Sequence, residues 1–185
     1  MNITQERLSG LLTIELDCFS DERGFFIERF SERRFREAGV PASFCQDNHS
    51  RSRPGVIRGL HFQTDPAQGK LVGVVRGQIW DVVVDIRPGS ATFGQYLGTE
   101  LNDANHRLLW IPAGFAHGFC VVGDEPADVI YKVDSPYNKA TERGILWSDP
   151  ELGIRWPVDR PIVSARDQDL PSFAEYRRQP ARWSS

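Results

Sequence analysis

Short apolar runs alternate along the chain with polar punctuation built from Gly, Pro, Asn and Asp. Leu11–Leu16, Phe25–Phe30, Val56–Gln63, Lys70–Val75, Ile79–Ile86, Tyr96–Leu101, Leu108–Ile111, His117–Val122 and Val129–Val133 are rich in β-branched and aromatic residues. Each has strand length and turn residues at its ends, and each predicts a strand. Arg76-Gly77-Gln78 lies between two of these runs and predicts a hairpin turn. One early segment predicts a helix, with Ser31 as N-cap, Phe35 and Ala38 as its apolar positions and Gly39 as the stop. There is no internal repeat and no low-complexity segment. From Pro136 onward Pro, Trp and charge dominate without a long periodic stretch, so residues 136–185 are expected to wrap the body. So many closely spaced strands predict a mainly β protein: a sandwich, jelly roll or barrel.

Composition narrows this further. A chain of 185 residues predicts one domain, large enough to bury roughly 70% of the surface that the unfolded chain exposes. With 40% hydrophobic and 25% charged residues, disorder, collagen and coiled coil are excluded. A formal net charge of -3 argues against a duplex nucleic-acid binder, while a few arginines in one pocket would still serve a small anionic ligand. The N-terminus is polar, with no apolar signal core, and no apolar run approaches the roughly 20 residues needed to span a bilayer. Cys18, Cys45 and Cys120 show no CxxC spacing. They predict reduced thiols in a cytoplasmic protein, with Cys120 in the core.

Polar residues that do not fit a plain β pattern concentrate in four stretches. Phe44–Ser50 is a polar knot expected to join the helix to the next strand. Arg58–Gln63 is followed by Gln68–Val72. Ile111–Phe119 holds His117 between Gly114 and Gly118. Tyr131-Lys132 lies in a strand, and Ser164–Asp167 far downstream. A histidine in an apolar strand is usually a hydrogen-bonded core residue, and that plain reading holds for His61 or His117 alone. Arg58 and Lys70 on neighbouring strands change the balance, because cations are costly to bury unless an anion joins them. Strict alternation would put Arg58 and His61 on opposite faces. A shared pocket therefore requires a bulge near Gly59. Asp81 and Asp85 share strand parity and are expected to be solvated or paired with arginine.

Two histidines in a small β fold suggest a metal. A cupin metal site takes two histidines from an HxH pair and a carboxylate a few residues on. Here the pair is His61-Phe62-Gln63, and Lys70 follows where the carboxylate would serve. A protonated ammonium cannot ligate a cation, so neither a metal nor another cofactor is expected.

Several motifs together carry a specific resemblance. Asp21–Glu28, Gln46-Asp47-Asn48, Arg58–Gln63, Gly69–Val72, Asp81–Arg87, Ile111–Phe119, Trp147–Pro150 and Ile154–Pro157 occur in order between about Leu11 and Asp167. This pattern resembles the dTDP-4-dehydrorhamnose 3,5-epimerase family. The resemblance implies a cupin-type jelly roll (double-stranded β-helix) with short peripheral helices, working without metal. It also implies a homodimer whose N-terminal strands, residues 1–30, are exchanged with the partner. The implied reaction is epimerisation at C3 and C5 of dTDP-4-dehydro-6-deoxy-D-glucose. His61 matches the general base, Asp167 the carboxylate that orients it, Tyr131 the general acid and Lys70 the group at the enolate oxygen. His117 lines the same pocket. Arg23, Glu28, Gln46, Asp47, Asn48, Arg58, Glu142 and Arg166 match positions that hold the substrate, and Phe119 and Tyr137 are expected to contact it as well. Arg166 stands where the family commonly has lysine, and Gly73 where it often has a larger polar residue.

These residue types suit the chemistry independently. A proton α to a ketone needs a base near neutral pKa, a carboxylate fixes the tautomer of that base, and a cation stabilises the enolate. The nearest rival is an epimerase acting at one carbon, decided by pocket shape around Tyr137 and Phe119. A non-catalytic sugar-nucleotide-binding cupin would keep Arg23 and Arg58 without needing His61, Asp167 and Tyr131 together. A metal-dependent cupin oxygenase conflicts with Gln63 and Lys70.

Overall fold

The computed structural model describes residues 1–40 and 43–183. Among these residues, fourteen strands and three short helices follow one another. The order is β1 (Asn2–Gln5), β2 (Leu12–Glu15), β3 (Cys18–Asp21), β4 (Gly24–Ile27), α1 (Glu32–Glu37), β5 (Gln46–Ser52), β6 (Val56–Gln63), β7 (Lys70–Arg76) and β8 (Gln78–Asp85). It continues with β9 (Tyr96–Asn102), β10 (Arg107–Ile111), β11 (Phe115–Val122), β12 (Ala127–Val133), β13 (Glu142–Gly144), β14 (Ile162–Val163), α2 (Ala165–Gln168) and α3 (Phe173–Arg178). One sheet has the order β1-β2-β10-β7-β12-β5. The facing sheet has the order β13-β6-β11-β8-β9, with β14 beside β6. The hairpin β3-β4 joins neither. Apart from the parallel β14–β6 pair, the ladders are antiparallel, and two such sheets packed face to face form a jelly roll.

Both faces of each sheet are covered, which explains why so many strands read as continuous apolar runs. Val72, Val74, Ile79, Val83, Leu109 and Val129 fill the space between the sheets. The outer face of the second sheet presents Leu60, Val82 and Val84, and the C-terminal segment covers it with Leu152, Phe173 and Tyr176. On the outer face of the first sheet, Phe35 of α1 packs against Ile14, Leu71, Leu108 and Trp110. α1 follows the expected boundaries, with Ser31 at its N-cap and Gly39 at φ +79° beyond its end.

Three expectations change. Arg76-Gly77-Gln78 is a corner rather than a hairpin, because β7 and β8 belong to different sheets. A side chain on Gly77, at φ +76°, would lie 2.6 Å from the Pro126 carbonyl oxygen, so only glycine turns this corner. The polar knot at Phe44–Ser50 holds most of strand β5, an edge strand paired along its length with β12. The run Phe25–Phe30 is strand only as far as Ile27.

Candidate active site

The two sheets open at one end onto a cavity of about 450 Å³. Register determines which side chains reach it. On the second sheet His117 lies directly across from His61, and Phe119 across from Arg58. Three residues of β6 thus span two of β11, which is the bulge that brings Arg58 and His61 to one face. Gly59 and Gly118 meet at this bulge: a Cβ on Gly59 would lie 2.6 Å from Gly118 Cα. On the first sheet Tyr131 pairs with Val72 of β7 and Asn48 of β5. Alternation places Lys70 on the face that Tyr131 shares. Arg58, His61, Lys70, His117, Tyr131 and Asp167 all line the cavity.

Asp167 arrives from α2. The Ser164 hydroxyl caps this helix by accepting the Asp167 backbone N–H at 3.1 Å, which fixes the carboxylate's approach. Asp167 Oδ1 lies 2.7 Å from His61 Nε2, and its Oδ2 accepts the Gly59 backbone N–H at 3.2 Å. Burial pushes the Asp167 carboxyl up. The hydrogen bond and charge of His61, the Gly59 N–H and the Arg166 charge outweigh that, so the group stays below the usual carboxylate range. With His61 Nε2–H donated to Asp167, Nδ1 is the nitrogen free to take a proton.

Burial lowers Lys70 to about 8, opposed by the charges of Glu142 and Asp81. Burial also raises the Tyr131 phenol, helped by Glu142 and Tyr137 and opposed by Arg58, so Tyr131 keeps its proton at neutral pH. His117 forms a second imidazole–carboxylate pair, its Nε2 lying 2.8 Å from Asp81 Oδ2. Asp81 is fully buried, and its Oδ1 has no hydrogen-bond partner among the described residues. Asp81 is thus neither solvated nor paired with arginine, the two states that the sequence predicts for it. Strand parity was visible in the sequence, but not the diagonal from β8 to β11 that brings it to His117.

The remaining candidates separate into groups. Gln46 and Asn48 bond to each other at 2.8 Å, and Gln46 accepts the Tyr137 backbone N–H at 3.1 Å. The Tyr137 hydroxyl donates to Glu142 Oε2 at 2.9 Å, and Arg166 pairs with the same oxygen. Arg58 donates to Ser52 at 2.9 Å, while Phe119 is buried against the cavity. Asp47 points away from this group and pairs with Lys132 at 3.0 Å. Arg23 and Glu28 do not line the cavity; Arg23 bonds to Asp21 within the β3-β4 hairpin, and Glu28 to Arg34 at 2.8 Å. At Gly73, the Arg29 guanidinium lies where a side chain would go, 2.6 Å from an added Cβ. Among the described residues no group of three or more His, Cys, Asp or Glu could hold a metal ion.

Known proteins share both the sequence and this architecture. The family model for dTDP-4-dehydrorhamnose 3,5-epimerase matches residues 5–175. The chain belongs to the dTDP-4-dehydrorhamnose 3,5-epimerase family. A Shigella flexneri protein of that name is 50% identical over 95% of this chain and 97% of its own. A crystal structure of dTDP-6-deoxy-D-glucose-3,5-epimerase from Legionella pneumophila, in complex with dTDP-4-keto-L-rhamnose, has a TM-score of 0.93 at 42% identity, covering 100% of this chain and 98% of that one. A 4-keto-6-deoxy sugar epimerase from the novobiocin biosynthetic gene cluster of Streptomyces spheroides reaches 0.94 at 40% identity, covering 99% and 93%. The fold of this epimerase is the cupin-type jelly roll of its family. No helix among its described residues is long and apolar enough to cross a membrane.

Proposed function

We propose that the protein epimerises C3 and C5 of dTDP-4-dehydro-6-deoxy-D-glucose, giving dTDP-4-dehydro-L-rhamnose. The observation that carries the residue roles is that His61 and Tyr131 face one cavity from opposed sheets, with Lys70 beside Tyr131's strand. His61 Nδ1 removes the proton α to the C4 ketone, and Asp167 stabilises the imidazolium that forms. The electron pair moves to the C4 oxygen, where the Lys70 ammonium holds the enolate. Tyr131 O–H then delivers a proton to the opposite face of the carbon. Inversion thus needs one group on each side of the sugar ring. The same cycle serves both carbons flanking the ketone. Arg58, Arg166 and Asn48 offer donors for the nucleotide end of the substrate.

Incubation with the dTDP-4-keto sugar in deuterated water tests this reading. Deuterium should enter at C3 and C5 of the epimerised product. Exchange at one carbon alone would move the protein to the single-carbon epimerases, and no exchange would end the reading. Tyr131→Phe should still wash deuterium into substrate, because His61 and Lys70 remain, while epimer formation falls on the order of a hundredfold. Epimerisation at the wild-type rate would remove Tyr131 from the acid's place.

A homodimer accounts for the hairpin. Phe19, Phe25 and Phe26 are 62%, 65% and 69% exposed on β3-β4, a concentration of aromatic surface that fits an interface. We assign this hairpin to the partner's cavity mouth, bringing Arg23 and Glu28 to the nucleotide. Light scattering should give about twice 21.0 kDa, and a fully active monomer would contradict the assignment. We place the enzyme in the cytoplasm, where the unpaired Cys18, Cys45 and Cys120 persist as thiols.

A further inference from the structure

Gln63 occupies the position at which an HxH pair would place its second histidine, yet nothing in the chemistry above uses it. Its side chain is 2% exposed at the end of β6, two residues beyond His61. The amide nitrogen donates to the Pro66 carbonyl at 2.8 Å and the Pro136 carbonyl at 3.0 Å. The amide oxygen accepts the Asn138 backbone N–H at 2.7 Å. Pro136 and Asn138 are the two neighbours of Tyr137, so one side chain grips the backbone on both sides of that residue. The grip leaves the Tyr137 ring 50% exposed, with its hydroxyl on Glu142 and its backbone N–H on Gln46.

The fit is specific to a primary amide. A side chain here must give two hydrogens and take one, all within a buried junction. Histidine has only two ring nitrogens, and glutamate at neutral pH offers no donor. Leaving buried carbonyls unpaired costs more than the bonds return when made. The neighbouring bonds run between the same two loops. Gln68 donates to the Ser135 carbonyl at 2.8 Å, the Ser135 hydroxyl to the Ala67 carbonyl at 2.7 Å, and the Asn138 amide to the Asp65 carbonyl at 3.0 Å. The loop that carries Tyr137 is therefore fastened to the loop that runs from β6 into Lys70, and Gln63 is the buried centre of the fastening.

We propose that Gln63 is a positioning residue that sets Tyr137 against Glu142, the partner it shares with Arg166 of the cavity lining, and through it the grip on the substrate. This rests on the reading of Tyr137 as a substrate contact, and the experiment separates the two. Steady-state kinetics with the dTDP-4-keto sugar, and calorimetric titration with dTDP alone, are measured for wild type, Gln63→Glu, Tyr137→Ala and the double variant. Gln63→Glu should raise KM and the dTDP Kd about tenfold while kcat stays within about threefold, the pattern of lost binding rather than lost chemistry. In the Tyr137→Ala background the same change should add nothing, because its route to the substrate is gone. If Tyr137→Ala leaves KM and Kd unchanged, Tyr137 is no substrate contact and this inference falls with that reading. If Tyr137→Ala weakens binding but Gln63→Glu does not, or the two losses simply add, the substrate contact stands and the role of Gln63 is overturned. Gln63→Met, of similar length and uncharged, gives the same comparison should the carboxylate prevent folding.

Discussion

The cavity holds two imidazole–carboxylate pairs, directly across from each other on adjacent strands, and they are built differently. His61 is partly exposed to the cavity, and its partner Asp167 comes from a helical turn with a second bond to the Gly59 N–H. His117 is nearly buried, and its partner Asp81 lies inside a strand with one oxygen bonded and the other without a partner among the described residues. A proton carrier has to meet its substrate and to exist in both charge states, which calls for access and a carboxylate content with either state. The first pair has both features. The second holds one imidazole orientation through a buried carboxyl group that is only half paired. On the proposed mechanism it shapes the wall of the cavity without moving protons.

This contrast can be broken by substitution. His61→Asn should lower both product formation and solvent exchange on the order of a thousandfold, since no enolate forms. His61→Asn that still exchanges deuterium rapidly would transfer the base role to His117. Asp167→Asn should slow exchange and epimerisation together by about a hundredfold. Asp81→Asn should cost only about tenfold in kcat, because Asn keeps an acceptor for the His117 N–H. Equal losses in the two Asp variants would erase the distinction between the pairs.

A smaller effect sharpens the picture of the opposite wall. Lys70, held at about 8 by burial, is an ammonium below that pH and loses its charge as pH rises through it. The free-enzyme profile of kcat/KM should therefore fall on an alkaline limb near pH 8. Lys70→Arg should flatten that limb at a lower plateau, since a guanidinium does not titrate there. A limb unmoved by this change would assign it to another group.

Where hydrophobic pattern dictates structure, the sequence is readable. Val82 and Val84 face one packed layer and Val83 the other, so β8 announces itself as a buried strand. β5 does not, because Gln46, Asn48 and Ser50 replace the apolar residues on the face it turns inward. The polar residues that give this stretch its chemistry also hide the strand that carries them. The bulge at Gly59 could be inferred, since Arg58 and His61 cannot share a pocket in regular alternation. The corner at Gly77 could not, because a short turn between two apolar runs looks the same whether the strands pair or part. Ser164–Asp167 stands out as a polar stretch, but its tie to His61 comes through family resemblance alone: nothing local says that Asp167 will meet His61.

That meeting joins residues 106 positions apart. At a synthesis rate of 5 to 20 residues per second, roughly 5 to 20 s separate the appearance of His61 from that of its carboxylate. During that interval the nascent sheets can assemble around a base that has not been armed. On the proposed mechanism, proton abstraction thus reaches its full rate only when the tail of the chain has docked, and a polypeptide released early from the ribosome carries the sugar-facing wall with a base that lacks its carboxylate.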